Sequence, residues 1–268
     1  MKVKNSILKV ITALLVVLTP LSVLLALKML LSLPRFYSWE SGIVVHVYDG
    51  DTLRIKFNHQ EKKVRLLGVD SPEIGHPSEK EDLWARLARR YSLFHLLRKR
   101  VRLDYENQKE DRYGRLLAYV WVDKDIFFNE KIIKDGLARS LDLATLNPEI
   151  KKRFRQAEAE AKRLKKGIWQ NQWPLSLRAE EADLYLGQVK AVELICRRIK
   201  VEKGYTLIYD RDSHFQVYIS RDRRPLFSDL QKIKLGDKLV VFGLIETYQS
   251  YPQIILFYPQ QLKLQPKN

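Results

Sequence analysis

The chain has 268 residues, of which 46% are hydrophobic and 30% charged, a balance typical of globular proteins that excludes an intrinsically disordered class. Lysine and arginine outnumber aspartate and glutamate by 48 to 32, and the net charge of +16 favours a polyanionic partner, either nucleic acid or an anionic membrane surface. The single cysteine, Cys196, excludes an intramolecular disulfide and a cysteine zinc site, while a hard cation held by carboxylates stays open.

An uncharged apolar segment lies near the N-terminus, over residues 10–27. Lys9 and Lys28 flank it, where their side chains reach the two interfaces of a bilayer, and the segment is long enough to span the hydrocarbon core. A cleaved signal peptide is the alternative, but its apolar core would be only about 7–15 residues long and would end in small residues. The sequence therefore predicts an uncleaved transmembrane anchor within residues 1–33.

The orientation of this anchor follows from its flanking charges. More positive charges precede the apolar segment than follow it, so we expect a single-pass membrane protein with a cytoplasmic N-terminus. After a linker at residues 34–41, the rest of the chain would lie outside the cytoplasm. Secretion after signal cleavage is the alternative.

The next stretch mixes strand and helix patterns. Alternating apolar residues predict strands in "GIVVHVYDGDTLRIKF", "KKVRLLGVD", "RVRLDYE" and "RLLAYVWV". Helical spacing predicts one inserted helix in "EKEDLWARLARRYSLFHLLRK". Two trailing helices are predicted, in "NEKIIKDGLA", which Gly136 ends, and in "NPEIKKRFRQAEAEAKRLKKG", which Asn147 caps and Gly167 ends. Five strands with these helices predict an α+β domain built on a small barrel, over residues 42–173.

A second strand-rich block follows "WPLSLRAEEADL", where we expect a linker at residues 174–184. Five strand patterns, with a short helix near "LFSDLQKI" between the third and fourth, predict a small oligonucleotide/oligosaccharide-binding (OB) barrel over residues 185–268. Its aromatic residues either stack on bases or fill the barrel, and the barrel core is favoured for any single one because strands alternate faces. The candidates for nucleic-acid binding are Arg221, Arg223 and Arg224, with whichever of Tyr218, Tyr248 and Tyr251 face outward.

Three acidic motifs stand out, and each one alone has an ordinary structural explanation. "DSPE" at residues 70–73 has the residues of a helix-capping box, although Gly75 and Pro77 would break the helix that such a cap starts. "YDGDT" at 48–52 is typical of a hairpin turn, and "DRYGR" at 111–115 is typical of a turn between two strands. The combination of the three motifs favours a functional site.

Together the acidic motifs contain the oxygen ligands that a hard divalent cation needs. Asp51 and Asp70 supply two carboxylates, and the carbonyl of Ser71 supplies a third ligand. Glu73 is close enough in sequence to accept a proton from a water molecule that the metal positions.

Two arginines complete this set. Arg65 lies within an apolar strand pattern, and a buried guanidinium costs several kcal/mol unless an anionic group pairs with it. Together with Arg115, it would clamp a phosphate and stabilise the negative charge that develops during nucleophilic attack. Carboxylates, a metal ion and two guanidinium groups are what metal-assisted phosphodiester cleavage requires.

The motifs "VYDGDT", "VRLLGVDSPE", "DRYGR", "DGLA" and "KKGIW" resemble, in order and spacing, those of the staphylococcal-nuclease-like (thermonuclease) family. The resemblance covers residues 42–173 and implies a calcium-dependent nuclease that hydrolyses DNA and RNA to 3′-phosphate and 5′-hydroxyl ends. A catalytically inactive scaffold that binds nucleic acid is the alternative, because this domain also occurs without its carboxylates. A basic protein that binds anionic lipid or cell-wall polymer is a third hypothesis.

The resemblance also implies roles for single residues. The implied calcium ligands are Asp51, Asp70 and the carbonyl of Ser71, with Asp49 nearby. The implied general base or water-orienting residue is Glu73. The implied contacts to the scissile phosphate come from Arg65 and Arg115, and those to a flanking phosphate from Arg112 and Tyr113. The presence of the whole set argues against the inactive scaffold.

Overall fold

The computed structural model describes residues 40–123, 125–210 and 215–265. The predicted membrane anchor lies outside these residues, as does most of the predicted linker that follows it. In the described part of the chain, no helix is both long and apolar enough to cross a membrane. The described residues all fall in one compact unit, which contains two β-barrels.

Eight of the described strands lie between residues 40 and 140. They are β1 (Glu40–Val47), β2 (Thr52–Phe57), β3 (Gln60–Leu66), β4 (Val69–Asp70), β5 (Arg100–Asp104), β6 (Leu116–Val122), β7 (Ile126–Phe127) and β8 (Arg139–Ser140).

Five of these strands form a closed barrel. β1 pairs antiparallel with both β2 and β5, and the pairing continues from β2 to β3 and from β5 to β6. The ring closes where β3 and β6 pair in parallel, with Val64 opposite Leu116. Alternate apolar residues such as Val44, Leu53 and Leu103 are fully buried inside, so the alternation in the sequence reflects one face of each strand turned toward the core. The predicted small barrel is confirmed.

Three α-helices accompany the first barrel in the described residues: α1 (Glu79–Leu96), α2 (Phe128–Lys134) and α3 (Pro148–Arg163). The side chain of Asn147 caps α3 as predicted, because its oxygen accepts a hydrogen bond from the N–H of Glu149 at 2.9 Å. α3 ends earlier than expected. Lys165 adopts a left-handed backbone conformation with φ +50°, and Gly167 begins a separate 3₁₀ turn.

Two glycines lie against each other after α2 and α3. Gly136 has φ +74° and Gly167 has φ +58°, conformations that residues with a Cβ adopt at a cost. The N–H of Ile168 donates to the carbonyl oxygen of Gly136 at 2.8 Å. A Cβ on Gly167 would lie 1.8 Å from that same oxygen. The "DGLA" and "KKGIW" motifs are therefore the two sides of one close backbone contact.

The remaining eight described strands build the second sheet. They are β9 (Ser176–Arg178), β10 (Val189–Ile195), β11 (Arg198–Val201), β12 (Tyr205–Tyr209), β13 (Gln216–Ser220), β14 (Lys238–Tyr248), β15 (Tyr251–Leu256) and β16 (Leu262–Leu264). β9 lies in the segment predicted as a linker, and it pairs in parallel with β10.

The second barrel has the same strand order as the first. β10 and β11 act as two halves of one bent strand, since β10 pairs with β14 and β11 pairs with β12. The order continues through β13 and β15, which pair in parallel with Gln216 opposite Gln253. The predicted helix at 226–233 is instead a pair of 3₁₀ turns, Arg224–Leu226 and Ser228–Lys232. Each is too short to form a stable α-helical nucleus.

The two barrels share an apolar interface. The rings of Trp84 on α1 and Phe242 on β14 meet edge to face, with centroids 5.6 Å apart, and Trp173 packs on the same Phe242 ring at 5.8 Å. Val240 and Leu244 of β14 are buried in the same cluster as the core of the first barrel. Removal of the second barrel would expose this surface, so point substitutions are a better test of its role than truncation.

We predict that Gly167→Ala lowers the free energy of unfolding of the 38–268 fragment by about 4 kcal/mol or more, because the new Cβ overlaps the Gly136 carbonyl. Urea denaturation measures this loss. Gly236→Ala is the matched control: Gly236 has φ +85° and open space around a Cβ, so only the left-handed backbone cost of about 1–2 kcal/mol should appear. Equal losses in the two variants would contradict the close contact.

Candidate functional site

The site is built around the buried carboxylate of Asp51. This residue ends a tight turn and lies directly before β2. Its Oδ2 accepts a hydrogen bond from the N–H of Ser71 at 2.7 Å, and its Oδ1 accepts one from the hydroxyl of Thr52 at 3.0 Å. Asp49 accepts from the N–H of Asp51 at 3.0 Å and so closes the turn. A Cβ on Gly50 would lie 2.6 Å from the Cβ of Ser71. The "DGD" segment therefore forms a hairpin turn, and its central Gly50 allows Asp51 to pack closely against the Ser71 segment.

Arg65 joins the two predicted carboxylates. It lies on β3 opposite Thr52, and its guanidinium donates to Asp51 Oδ1 and, at 3.2 Å, to Asp70 Oδ1. The side chain of Arg65 is 14% exposed and that of Asp51 is 1% exposed, so this is a buried ion pair. The anionic partner that a buried arginine requires is thus present. Arg65, Asp51 and Asp70 therefore form one cluster, and their predicted roles as metal ligands and phosphate contact stay predictions.

The electrostatics of this cluster suit a hard cation. Burial raises the pKa of Asp51 to about 7; the Arg65 charge opposes this rise, and nearby Asp49 adds to it. Such a carboxylate is stabilised by further positive charge. Across the described ranges, no group of three or more His, Cys, Asp or Glu side chains could hold a metal. Asp51 and Asp70 nevertheless provide two carboxylates, the kind of oxygen ligand that a hard cation prefers.

Ser71 and Glu73 lie beside the cluster. Ser71 meets Asp51 through its N–H, and its predicted role as a carbonyl ligand stays a prediction. Glu73 is exposed and lines an open cavity of about 410 Å³, together with Asp70 and Ser71. Lys80 and Arg139 line the same cavity. A carboxylate that takes a proton from water must be reachable by solvent, and Glu73 meets this condition.

The loop at 111–115 holds its arginine through an aspartate that sequence reasoning did not single out. Asp111 Oδ1 accepts hydrogen bonds from the N–H groups of Tyr113 and Arg115, and its Oδ2 accepts one from Arg115 Nε at 2.7 Å. Burial would raise the pKa of Asp111, but the hydrogen bonds from Arg115 and Tyr113 lower it. Arg115 is therefore paired with Asp111 and makes no hydrogen bond to the Asp51 cluster in the described structure.

The register of the barrel nevertheless brings the strand of Arg65 beside the loop that carries Arg115. Arg65 lies opposite Leu117 in the parallel pair of β3 and β6, and Arg115 lies in the loop directly before β6. Tyr113 is 68% exposed, and the guanidinium groups of Arg112 and Arg115 lie over its ring at 4.8 and 5.4 Å from the centroid.

Comparison with known proteins gives a consistent result for this half of the chain. The family model of the staphylococcal nuclease homologues matches residues 63–171. The thermonuclease of Staphylococcus hyicus is 41% identical over 128 residues, which are 48% of this chain and 75% of that protein. The thermonuclease of Staphylococcus intermedius is 40% identical over 131 residues, 49% of this chain and 77% of that protein. The chain belongs to the staphylococcal nuclease homologue family.

More distant relatives include endonuclease YncB of Bacillus subtilis, which is 35% identical over 123 residues, 45% of this chain and 57% of that protein. The family resemblance predicted from the motifs is confirmed. The matched region contains Arg65, Asp70, Glu73 and the loop at 111–115. The second barrel lies beyond it.

Arg139 is a further cation of the staphylococcal nuclease domain that sequence reasoning missed. It lies opposite Asp70, where β4 pairs with β8, and its guanidinium lies 5.7 Å from the centroid of the Trp169 ring. The only available signal was its position directly after "DGLA". Two strands of two residues each leave no periodic pattern from which their pairing could be inferred.

A second missed residue connects the staphylococcal nuclease domain to the second barrel. Asp82, in the first turn of α1, is buried. Its Oδ1 accepts a hydrogen bond from the N–H of Gly75, in the loop that carries Glu73. Its Oδ2 accepts hydrogen bonds from Arg86 and, at 2.7 Å, from the hydroxyl of Tyr258. A side chain of the second barrel thus helps to hold the loop that carries the candidate base.

The pKa of Asp82 should make this connection sensitive to acid. Burial by itself would raise the pKa, but hydrogen bonds from Tyr258, Gly75 and Arg86 outweigh it and lower the pKa. A carboxyl with a folded pKa below its unfolded value of about 3.9 stabilises the fold above that value. This stabilisation is lost as the pH falls through the folded pKa.

We predict that Asp82→Asn lowers the free energy of unfolding at pH 7 by about 2 kcal/mol, because it removes charge-assisted hydrogen bonds. The difference from wild type should shrink as the pH falls below about 4, because the carboxyl is protonated first in the unfolded state and then, at its lowered pKa, in the folded state. Urea denaturation of the 38–268 fragment at both pH values measures this. Glu79→Gln, an exposed acid in the same turn, should have little effect at either pH. A difference that does not change with pH would contradict the assignment.

Proposed function

We propose that this protein is a calcium-dependent nuclease that hydrolyses phosphodiester bonds of DNA or RNA and leaves 3′-phosphate and 5′-hydroxyl ends. The observation that carries the proposal is the cluster of buried Asp51 and Arg65 with the partly exposed Asp70, beside the cavity that Glu73 lines. The names of the relatives, thermonuclease and endonuclease, support it.

In this proposal Glu73 accepts the proton of the attacking water, for which its exposed position on the cavity is suitable. Asp51 and Asp70 would hold the calcium ion, which would supply Lewis-acid stabilisation of the phosphate charge and lower the pKa of a nearby water. Arg65 uses three of its five N–H donors on Asp51, Asp70 and the carbonyl of Val69. The remaining donors are available to an oxygen of the scissile phosphate.

Arg115 stabilises the charge that develops on the phosphate. In the described structure its Nε and Nη2 contact Asp111, and this pair orients the guanidinium before substrate arrives. Arg112 and Tyr113 lie next to it on the exposed part of the loop and bind the flanking phosphate. Lys80 and Arg139 add positive charge to the cavity wall and favour a polyanionic substrate.

A catalytically inactive scaffold that binds nucleic acid is the second candidate. It would bind DNA or RNA without cutting either, with or without calcium. The presence of Asp51, Asp70, Glu73 and both arginines disfavours it, because binding alone does not require this combination of carboxylates and guanidinium groups.

We further propose that the enzyme is anchored in a membrane by residues 10–27 and that its barrels lie outside the cytoplasm. The flanking lysines and the positive charge before the segment support this orientation.

For the chemistry, we predict that Glu73→Gln lowers the rate of single-stranded DNA cleavage by about 10²–10⁴, because the general base is lost. Arg115→Ala should lower it by about 10²–10³, because a charge-stabilising donor is lost. Single-turnover cleavage of labelled DNA, with calcium and with chelator, measures both. Glu61→Gln, an exposed acid on β3, is the control and should cleave like wild type. If Glu73→Gln has wild-type turnover, the assignment of the base is wrong.

For the topology, we predict that a C-terminal alkaline phosphatase fusion is active and that a C-terminal fluorescent reporter restricted to the cytoplasm is dark. Mass spectrometry of the membrane fraction should find an uncleaved N-terminus. Mature protein that starts near residue 34 would indicate secretion instead. A fluorescent cytoplasmic reporter would show that the C-terminus lies in the cytoplasm and would contradict the predicted orientation.

A further inference from the structure

The second barrel has a cleft lined by tyrosines that lies outside the family match. This tyrosine cleft is formed by β12, β13, β14 and β15 and has a volume of about 590 Å³. The rings of Tyr205 and Tyr218 stack at 5.8 Å between centroids and 29° between planes. Tyr209 and Tyr248 line the same cleft. Its size falls within the range of small-ligand sites.

These tyrosines lie on the outer face of the sheet. Tyr205 and Tyr209 flank Leu207 on β12, while the intervening Thr206 and Ile208 are buried. Strand alternation therefore turns the tyrosines away from the barrel core and toward solvent. The expectation that a given aromatic residue fills the barrel is wrong for these side chains. It holds for Phe215, which is fully buried.

The floor of the tyrosine cleft is a chain of buried hydrogen bonds. Gln216 Nε2 donates to Gln253 Oε1 at 3.1 Å, and Gln253 Nε2 donates to Glu246 Oε1 at 3.1 Å. Each of these three residues is 5% exposed. The Glu246 carboxylate is neutralised by Arg90 of α1, whose Nε lies 3.0 Å from Oε2. Each amide nitrogen has a second N–H beyond the one that this chain uses, so the floor can donate to a ligand.

This combination identifies the chemistry of the ligand. Aromatic side faces bind flat rings by stacking, and amide groups at the floor recognise the polar edge of such a ring. Lys200 also lines the cleft, with its ammonium paired to Glu202 Oε1 at 3.0 Å, so the aromatic faces and the amide groups are what select the ligand. The faces of nucleobases are accessible when the strand is unpaired. We propose that the tyrosine cleft binds a base of single-stranded nucleic acid and holds the strand while the nuclease site cuts it, an inference that rests on the proposed function.

The position of the cleft relative to the catalytic cavity supports this role. Lys80, in the first turn of α1, lines the catalytic cavity, and Arg90, ten residues later on the same helix, lines the tyrosine cleft. Ten helical residues span about 15 Å along the axis. A strand of a few nucleotides can therefore reach both sites on one molecule, and binding at one raises the effective concentration at the other.

The arginines nominated from the sequence do not belong to this cleft. Arg221 and Arg224 line a separate hollow, and Arg224 donates to the carbonyl of Glu202 at 2.7 Å. Arg223 lies over the ring of Tyr258 at 5.3 Å from its centroid. Tyr251 lies opposite Tyr248 in the β14–β15 hairpin but does not line the cleft. These residues provide matched controls.

The test is binding of a fluorescent single-stranded oligonucleotide of about ten nucleotides to the full chain in detergent with chelator, measured by anisotropy. Tyr218→Ala and Tyr205→Ala should raise the Kd about 5- to 100-fold, while Tyr205→Phe should bind like wild type because the ring remains. Tyr251→Ala and Arg221→Ala should change the Kd by less than about 2-fold. If Tyr218→Ala fails to fold, the exposed Tyr248→Ala replaces it.

Wild-type Kd values for the cleft variants, or displacement of the oligonucleotide by a neutral oligosaccharide, would overturn the proposal.

A second assay, cleavage of a dinucleotide with calcium, distinguishes failure of the cleft proposal from failure of the proposed nuclease function. Tyr218→Ala should cut the dinucleotide at the wild-type rate. If the protein never cleaves DNA but the cleft variants bind the oligonucleotide more weakly, the proposed nuclease activity is wrong and the proposed binding cleft is supported. If the protein cleaves DNA normally and the cleft variants bind like wild type, only the proposed binding cleft is wrong.

Discussion

The buried pairing of Asp51 with Arg65 is the constraint on which the rest of the site depends. A carboxylate that is 1% exposed has a large desolvation cost when it is ionised, and the guanidinium of Arg65 and the N–H of Ser71 offset part of it. Gly50 is required because a Cβ there would overlap the Ser71 side chain. The parallel pairing of β3 with β6 then brings the strand of Arg65 beside the loop that carries Arg115. The buried carboxylate thus fixes the turn at residues 49–51 against the Ser71 segment, while Asp111 holds the loop of Arg115.

Helix α1 extends this organisation to the second barrel. Asp82, Arg86 and Arg90 lie at four-residue intervals, so they form one stripe along the helix. Asp82 accepts from Tyr258, Arg86 lies over the ring of Phe257, and Arg90 pairs with Glu246. The start of the helix borders the cavity that Glu73 lines, and its later turns border the tyrosine cleft. The polar contacts of this stripe and the apolar contacts of Trp84 make the two barrels one compact unit.

Local signals in the sequence were sufficient to predict most elements of the first barrel. Asn147 and Pro148 begin α3 because capping involves only neighbouring residues. The meeting of Asp51, Arg65 and Asp70 was predictable because their motifs adjoin successive strands.

Contacts between distant segments could not be predicted in this way. Tyr258 and Asp82 are 176 residues apart, and their hydrogen bond depends on how two whole barrels pack. The same limit applies to the tyrosines of β12 and β13. Their alternation was visible in the sequence, but which face of the strand would meet the core was not.

The claim that Asp51 is a buried cation ligand can be tested most directly by calorimetric unfolding of wild type and Asp51→Asn, each with calcium and with chelator. A ligand that binds only the folded state stabilises it by about 2.7 kcal/mol at 100 times its Kd. We expect calcium to raise the Tm of the wild-type protein and to leave that of Asp51→Asn unchanged. Equal shifts in the two proteins, or no shift in wild type, would contradict the account.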